Sequence, residues 1–310
     1  MIGLNPNGLL IAGVRLEKEK ESFAVSVNNL AKKLTCRVDL VCAVEPLNDY
    51  YLSSIYGVGS GQSELVYEIE NERVKTNEAL LKDYAKLFDT DIVRNVKVLV
   101  GNPESVLFEY ASEEKANAII CGANLGGYKF VPSSLSVVLS LIKKSVFPII
   151  VIPKGSVTGK SEKLSFMLTD NMTDSSKGAI VFSHRTQRAY PDCFVRHVHV
   201  VKDILDWRRE LQSETLGSVP DADQALVNLK QMMQSRFGFL DELSKPDAKY
   251  TQYIGYGEVS SAIFDACEEL DPDFIVFGPH QAIHSKPLAF GAMPWATILH
   301  STRPVIIVPK

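Results

Sequence analysis

The sequence predicts an α/β protein of two tandem five-stranded, mostly parallel sheets flanked by helices. Three observations predict it. Short continuous apolar runs alternate with amphipathic stretches, the alternation occurs twice, and the halves fall into register at a shift of 156 residues. Strands alternating with helices imply βαβ units with right-handed crossovers and helices on both faces of each sheet.

The register needs no gap between residues 101–154 and 257–310. Gly101 lands on Gly257, Phe108 on Phe264, Ile119 on Ile275, Gly122 on Gly278, Pro148 on Pro304, Pro153 on Pro309 and Lys154 on Lys310. Strict identity is sparse, but the apolar and polar pattern matches as well. Two unrelated units with similar punctuation would rarely keep the intervals 21, 26 and 5 between the Gly, Gly, Pro and Pro markers. Internal repetition on this scale implies duplication. The expected division is residues 1–154, a small polar linker at 155–162, and residues 163–310.

In the first half, Leu9–Val14 is a continuous apolar run of the kind a buried parallel strand requires. Ser22–Leu34 has helical spacing through Phe23, Val27, Leu30 and Leu34. Val38–Val44 reads as a second strand, 45–61 as a Gly-, Tyr- and Ser-rich loop, and Glu64–Leu87 as a long amphipathic helix. Val96–Val100, Ala118–Cys121 and Ile149–Ile152 complete the strands. Pro103–Glu114 starts on a proline whose missing N–H does no harm in a first helical turn, and Ser134–Lys144 is the last helix. The second half repeats the order, with strands at Ser165–Thr169, Arg196–Val201, Tyr250–Ile254, Phe274–Phe277 and Val305–Val308. Its helices are expected near Asp174–Arg188, Ile204–Leu243 (broken at Gly217–Pro220), Glu258–Leu270 and Met293–His300.

The chain has 310 residues, enough for two cores, with 45% hydrophobic and 23% charged residues and a net charge of −4. That balance argues against nucleic acid as a partner, because no basic face is forced; Lys143-Lys144 reads as a solvated helix end. The five cysteines form no CxxC pair, which argues against a zinc site or a disulfide framework. The N-terminus lacks a basic start and a signal-peptide core, and no stretch reaches the ~20 apolar residues of a membrane span. The expectation is a cytoplasmic protein with no membrane partner.

In such sheets ligands bind beyond the carboxyl ends of the strands, where the strand order reverses. The informative segment therefore follows the fourth strand. The second half reads Gly278-Pro-His280-Gln281, nine residues, then Gly291-Ala292, with Pro304 twelve residues later. The first half reads Gly122-Ala-Asn124-Leu125, nine residues, then Leu135-Ser136, with Pro148 twelve residues later. In this spacing the chain resembles the universal stress proteins. Their loop runs Gly, two residues, Gly, nine residues, Gly, then Ser or Thr. The glycines let backbone approach phosphates, and the hydroxyl residue opens a helix whose N-terminus faces them. Here the spacing is intact and the residues are not: Leu125 and Gln281 replace the second glycine, Leu135 the third in the first half, and Ala292 the hydroxyl in the second.

The resemblance implies a Rossmann-like fold of the adenine nucleotide alpha hydrolase-like type, non-enzymatic and engaged in stress response. It implies an Asp after the first strand, near the nucleotide base. This is Asp170 in the second half, whereas the first has Val14-Arg15. It implies a Gly near the ribose, matching Gly101 and Gly257. The cofactor it implies is ATP or AMP. Its residues would be Asp170, Gly257, Gly278, His280, Gln281, Gly291 and Ala292 in the second half, the better-equipped one, and Gly101, Gly122, Asn124 and Ser136 in the first. It further implies pairing of the halves through their fifth strands, Pro148–Pro153 against Pro304–Pro309, and is compatible with a homodimer. The alternatives are a nucleotide-independent scaffold for a protein or small ligand, and an enzyme acting on nucleotides. The last needs a cationic or metal clamp that neither loop supplies.

Other features have plainer readings. His280 and His284 lack further ligands at metal spacing, and no metal is expected. His197 and His199 share one face of a strand and read as a hydrogen-bonded pair at the sheet surface. Gly57–Gly61 reads as a connector rather than a phosphate loop, and Phe194 and Trp207 as packing residues. No catalytic Ser–His–Asp or Cys–His set is expected; Ser183-His184 is adjacent only in sequence.

Overall fold

The computed structural model describes residues 3–16, 21–47, 63–123, 133–156, 161–201, 222–238, 249–279, 297 and 300–309, with 63–65, 133–136 and 222 as backbone only. The strands are β1 (Leu9–Gly13), β2 (Arg37–Val44), β3 (Val93–Val100), β4 (Ala118–Ala123), β5 (Ile149–Pro153), β6 (Ser165–Thr169), β7 (Phe194–Val201), β8 (Tyr250–Tyr256), β9 (Phe274–Phe277) and β10 (Val305–Ile307). The helices are α1 (Glu21–Lys33), α2 (Ser63–Ala85), α3 (Pro103–Glu113), α4 (Ser133–Lys144), α5 (Lys177–Ala189), α6 (Ala222–Gly238) and α7 (Val259–Leu270).

The strands form one ten-stranded sheet in the order β3-β2-β1-β4-β5-β10-β9-β6-β7-β8. The two five-stranded halves run on as one sheet, joined edge to edge through β5 and β10, the fifth strand of each half. The seam is antiparallel, Val305 opposite Val151 and Ile307 opposite Ile149, and the other strand pairs are parallel. Each side of the seam has the same internal strand order. Because the seam is antiparallel, the carboxyl ends of β1–β5 and of β6–β10 lie at opposite ends of the sheet.

Burial follows the apolar runs. β5, β6, β9 and β10 are buried along their whole length, as strands covered on both faces must be. The outermost strands, β3 and β8, are exposed or half-buried along their length apart from the buried Gly255. One face carries α1 and α5 over Leu10, Ala12, Ile150, Phe166, Leu168, Phe274 and Ile306, with Phe166 and Phe274 stacked 5.1 Å apart. The other carries α3, α4 and α7 over Ile11, Ile119, Val151, Met167, Ile275 and Val305. α6 contributes Phe237 to the first core, but Leu229 and Met233 join only a small separate cluster with Val201, Met172 and Ile254.

Several local devices recur 156 residues apart. The Leu9 N–H donates to Asn117 Oδ1 (3.0 Å) and the Ser165 N–H to Asp273 Oδ2 (2.9 Å). Ser145 Oγ donates to the Phe147 carbonyl, and Ser301 Oγ to that of Arg303. Lys115 and Asp271 both adopt left-handed backbone after their helices, at φ 54° and 45°. Gly101 and Gly257 both turn the chain from a third strand into a helix with positive φ, 149° and 96°. The following residues cap those helices: Asn102 Oδ1 accepts from the Glu104 N–H, and Glu258 Oε2 from the Ser261 N–H.

The halves also meet through side chains. Leu4 N donates to Thr186 Oγ1 (3.1 Å), Tyr190 Oη to the Leu34 carbonyl (2.6 Å), and Lys33 pairs with the fully buried Asp273. The stretch proposed as a linker is tied to α1: Ser26 Oγ donates to the Ser156 carbonyl and Lys33 Nζ to that of Ser161.

Candidate functional site

β6 delivers Asp170 to the carboxyl end of the sheet's second half. Strand alternation puts its side chain on the same face as Phe166 and Leu168, beneath α5 and α6. The chain then turns sharply: Met172 takes φ 63°, and its N–H donates to Asp170 Oδ1 at 2.7 Å. Asp174–Ser176 form a single 3-10 turn, capped by Thr173, leading into α5.

The Asp170 carboxylate is completely enclosed and fully engaged. Arg236, near the end of α6, grips it with two parallel bonds, Nε to Oδ2 at 2.8 Å and Nη2 to Oδ1 at 3.0 Å. The same guanidinium donates to the Thr173 carbonyl at 2.8 Å. His197 Nε2 lies 3.1 Å from Oδ2, and His197 Nδ1 lies 2.6 Å from Tyr250 Oη. A neutral imidazole donating to Asp170 and accepting from the tyrosine fits both contacts. Burial works against the ionised Asp170. The hydrogen bonds from His197 and Arg236 and the arginine's charge outweigh it and hold the carboxyl well below the usual carboxylate range. Burial pushes His197 down, and the Asp170 contact offsets that only in part.

His197 and His199 therefore do not form the surface pair expected of them. Alternation puts both on one face, but that face is roofed by Phe237 of α6, which leaves His197 wholly buried. His199 Nδ1 turns instead to the Asp170 backbone carbonyl, at 2.7 Å. Phe194 is half-buried, with Lys163 and Arg196 over its ring.

Of the sequence-selected residues, the structure brings Gly278 against the Asp170 turn. A Cβ built on Gly278 would sit 2.2 Å from the Ser175 carbonyl oxygen, so the close approach this glycine permits is taken by the protein's own backbone. Gly257 lies two strands away, its N–H bonded to the Val201 carbonyl. Gly101 and Gly122 belong to the opposite end of the sheet, at the ends of β3 and β4. There Val14, buried in the core, holds the place corresponding to Asp170. Ser136 lies in the first turn of α4 by its backbone. Asn124, His280, Gln281, Gly291 and Ala292 fall outside the described residues, as do His284, Gly57–Gly61 and Trp207.

Solved structures match over nearly the whole chain. A universal stress protein from Archaeoglobus fulgidus DSM 4304 superimposes with a TM-score of 0.62 at 13% identity, covering 98% of this chain and 97% of that one. The chain has the universal stress protein fold. A functionally unknown protein from Pseudomonas aeruginosa PAO1 matches with a TM-score of 0.53 at 11% identity (97% and 92% covered). A protein from P. aeruginosa UCBPP-PA14, provisionally classed as a universal stress protein, does so with 0.53 at 12% (98% and 93%). No family model and no curated protein matches the sequence.

Within this universal stress protein fold, the protein's own groups fill the described part of the cleft. Asp170 has no acceptor to spare, and the space beside Gly278 holds the Ser175 carbonyl. Sequence reasoning missed Arg236, Tyr250 and Met172. Arg236 stands beside Phe237 on a helical pattern, and nothing in its spacing marks it as the partner of a residue 66 positions away. Among the described residues there is no metal-binding group of His, Cys, Asp or Glu, and no helix is long and apolar enough to cross a membrane. All five cysteines are buried thiols outside any disulfide.

Proposed function

We propose that the chain is a non-enzymatic regulatory protein of the universal stress type. It is built from duplicated units at 1–154 and 163–310, and adenine nucleotide, ATP or AMP, engages the second unit. One observation carries the non-enzymatic reading. The ionisable groups at the end of β6 are spent on one another, Asp170 on Arg236 and His197, and His197 on Tyr250. A general base or nucleophile has to reach a substrate; these groups are turned inward. The recurrence of backbone devices at an offset of 156 residues supports the duplication, and the full-length likeness in fold supports the stress-protein role by analogy.

A second reading is a scaffold that works without nucleotide. It is favoured by the Ser175 carbonyl standing where Gly278 would admit a phosphate. Mass spectrometry of small molecules released from the denatured, purified protein, beside a phosphate-release assay with ATP and Mg²⁺, separates the readings. Recovered AMP or ATP without turnover supports the first. A protein that carries none and binds none on titration supports the scaffold. Phosphate release that Asp170→Ala abolishes would overturn both.

A further inference from the structure

We propose that Arg236 is an internal latch on the second half's cleft: it fills the carboxylate the cleft would offer a ligand, and its release frees α6 and exposes Asp170. The latch rests on the reading that this cleft is where ligand binds.

The geometry has the parts a latch needs. The contact is strong and directional, a two-pronged guanidinium–carboxylate pair with a third bond to the Thr173 carbonyl. The two partners differ in access: the Asp170 side chain is fully enclosed, whereas that of Arg236 is 21% exposed and can swing to water. The first three turns of the element that carries the arginine stand off the two main cores. Among the described residues Leu229 and Met233 pack in a small cluster with Val201, Met172 and Ile254, and Val227 and Met232 face solvent. Elements with few buried contacts open at lower free energy than the core. Met172 belongs to both the Asp170 turn and the α6 cluster, so unlatching the carboxylate and lifting the helix are one event.

The two states follow. With the latch closed, Asp170 is neutralised and α6 covers it. With the latch open, a ligand presenting N–H donors, such as the amino edge of an adenine, replaces the guanidinium. A ligand that needs the open state binds more weakly by the fraction of molecules that are open.

Hydrogen exchange and AMP titration on the full chain test this in three proteins: the natural one, Arg236→Met, and Asp170→Val with Arg236→Met. The double variant leaves no buried charge, and Val14 shows that valine suits this backbone position. The latch predicts faster exchange across 222–238 in both variants, by a larger factor than in β6 and β9. It also predicts AMP binding at least about tenfold tighter in Arg236→Met. Unchanged exchange in 222–238 overturns the latch, and so does exchange raised equally through β6 and β9, which would mean general destabilisation. Local loosening of α6 with no AMP binding in any of the three proteins upholds the latch and sinks the nucleotide reading instead.

Discussion

Val14 and Asp170 occupy the same station on the two halves of the chain and do opposite things there. Each follows the first strand of its half, and each donates its N–H to a carbonyl of the neighbouring strand, Val14 to Val41 at 2.8 Å and Asp170 to Val198 at 2.9 Å. Val14 closes an apolar core. Asp170 brings a carboxylate into the matching space and is neutralised by a side chain from α6.

The asymmetry of that pair sets the cost of breaking it. Removing Arg236 leaves an enclosed carboxylate without its cation, a loss of about 3–5 kcal/mol if nothing moves and less once α6 opens to water. Removing Asp170 leaves an arginine that can turn outward. Urea unfolding should therefore show Arg236→Met more destabilised than Asp170→Val, with the double variant close to Asp170→Val alone. Additive losses would mean that the two residues do not act as a pair.

Acid should weaken the fold in a defined order. His197 is held neutral by burial, so the unfolded chain begins to take up protons that the fold refuses near pH 6.5, the free imidazole's value. Asp170 is held low, and so is Asp39, gripped by Arg94 at 2.9 and 2.6 Å and by Tyr110 at 2.9 Å. Their contribution is complete above the unfolded aspartate value of about 3.9 and is lost as pH falls toward the folded values. Urea midpoints measured from pH 7 to pH 3 should fall throughout. In Asp39→Asn the decline below pH 4 should be shallower, from a lower starting point. Parallel curves for the two proteins would contradict the assignment.

The seam between the halves offers a swap. Asp273 stands where the first half has Asn117, and each accepts the N–H that opens its neighbouring strand. Lys33 from the other half pairs with Asp273. Lys33→Met should lower stability by about 2–4 kcal/mol, because it uncovers a buried charge. Adding Asp273→Asn should return at least half of that loss, since the amide oxygen keeps the bond to the Ser165 N–H. Thermal or urea denaturation reads both; no recovery would show that the lysine acts through packing alone.

Three glycines should differ in their tolerance of alanine for separate reasons. At Gly278 the methyl would lie 2.2 Å from the Ser175 carbonyl oxygen, a backbone atom, and 3.1 Å from Ser176 Cα. The loss should exceed about 4 kcal/mol or prevent folding. At Gly257 there is open space within 4 Å but a φ of 96°, so strain of about 1–3 kcal/mol is expected. Gly101 combines positive φ with a contact 2.7 Å from the Val106 side chain and should fall between. Melting temperatures of the three variants rank them.

The strands were legible because central strands of a covered parallel sheet have nowhere to place a polar side chain. Leu9–Gly13, Ile149–Pro153, Ser165–Thr169 and Phe274–Phe277 are short runs of that kind, and each is a strand within a residue or two of its expected limits. The outer strands were read too short. β3 begins at Val93 and β7 at Phe194, because half-exposed residues such as Arg94 and Asn95 break the apolar signal without breaking the ladder. At the site, Asp170 and Gly257 were picked out by the resemblance, from their places after a strand and before a helix, and the positive φ of Gly257 came only with the structure. The roles of Asp170 and Gly278 were not legible, since each depends on what another element brings to it.

Periodicity and punctuation thus determined, from the sequence alone, which segments are strands, in what order they come, and that the order occurs twice. Those are statements about a residue and its near neighbours, and the chemistry of burial writes them locally. Only the tertiary structure decided the antiparallel register that joins the two sheets, that Ser175 lies against Gly278, and that Arg236 holds Asp170. These depend on contacts between residues far apart in the chain, whose geometry arises only when the helices are laid on the sheet.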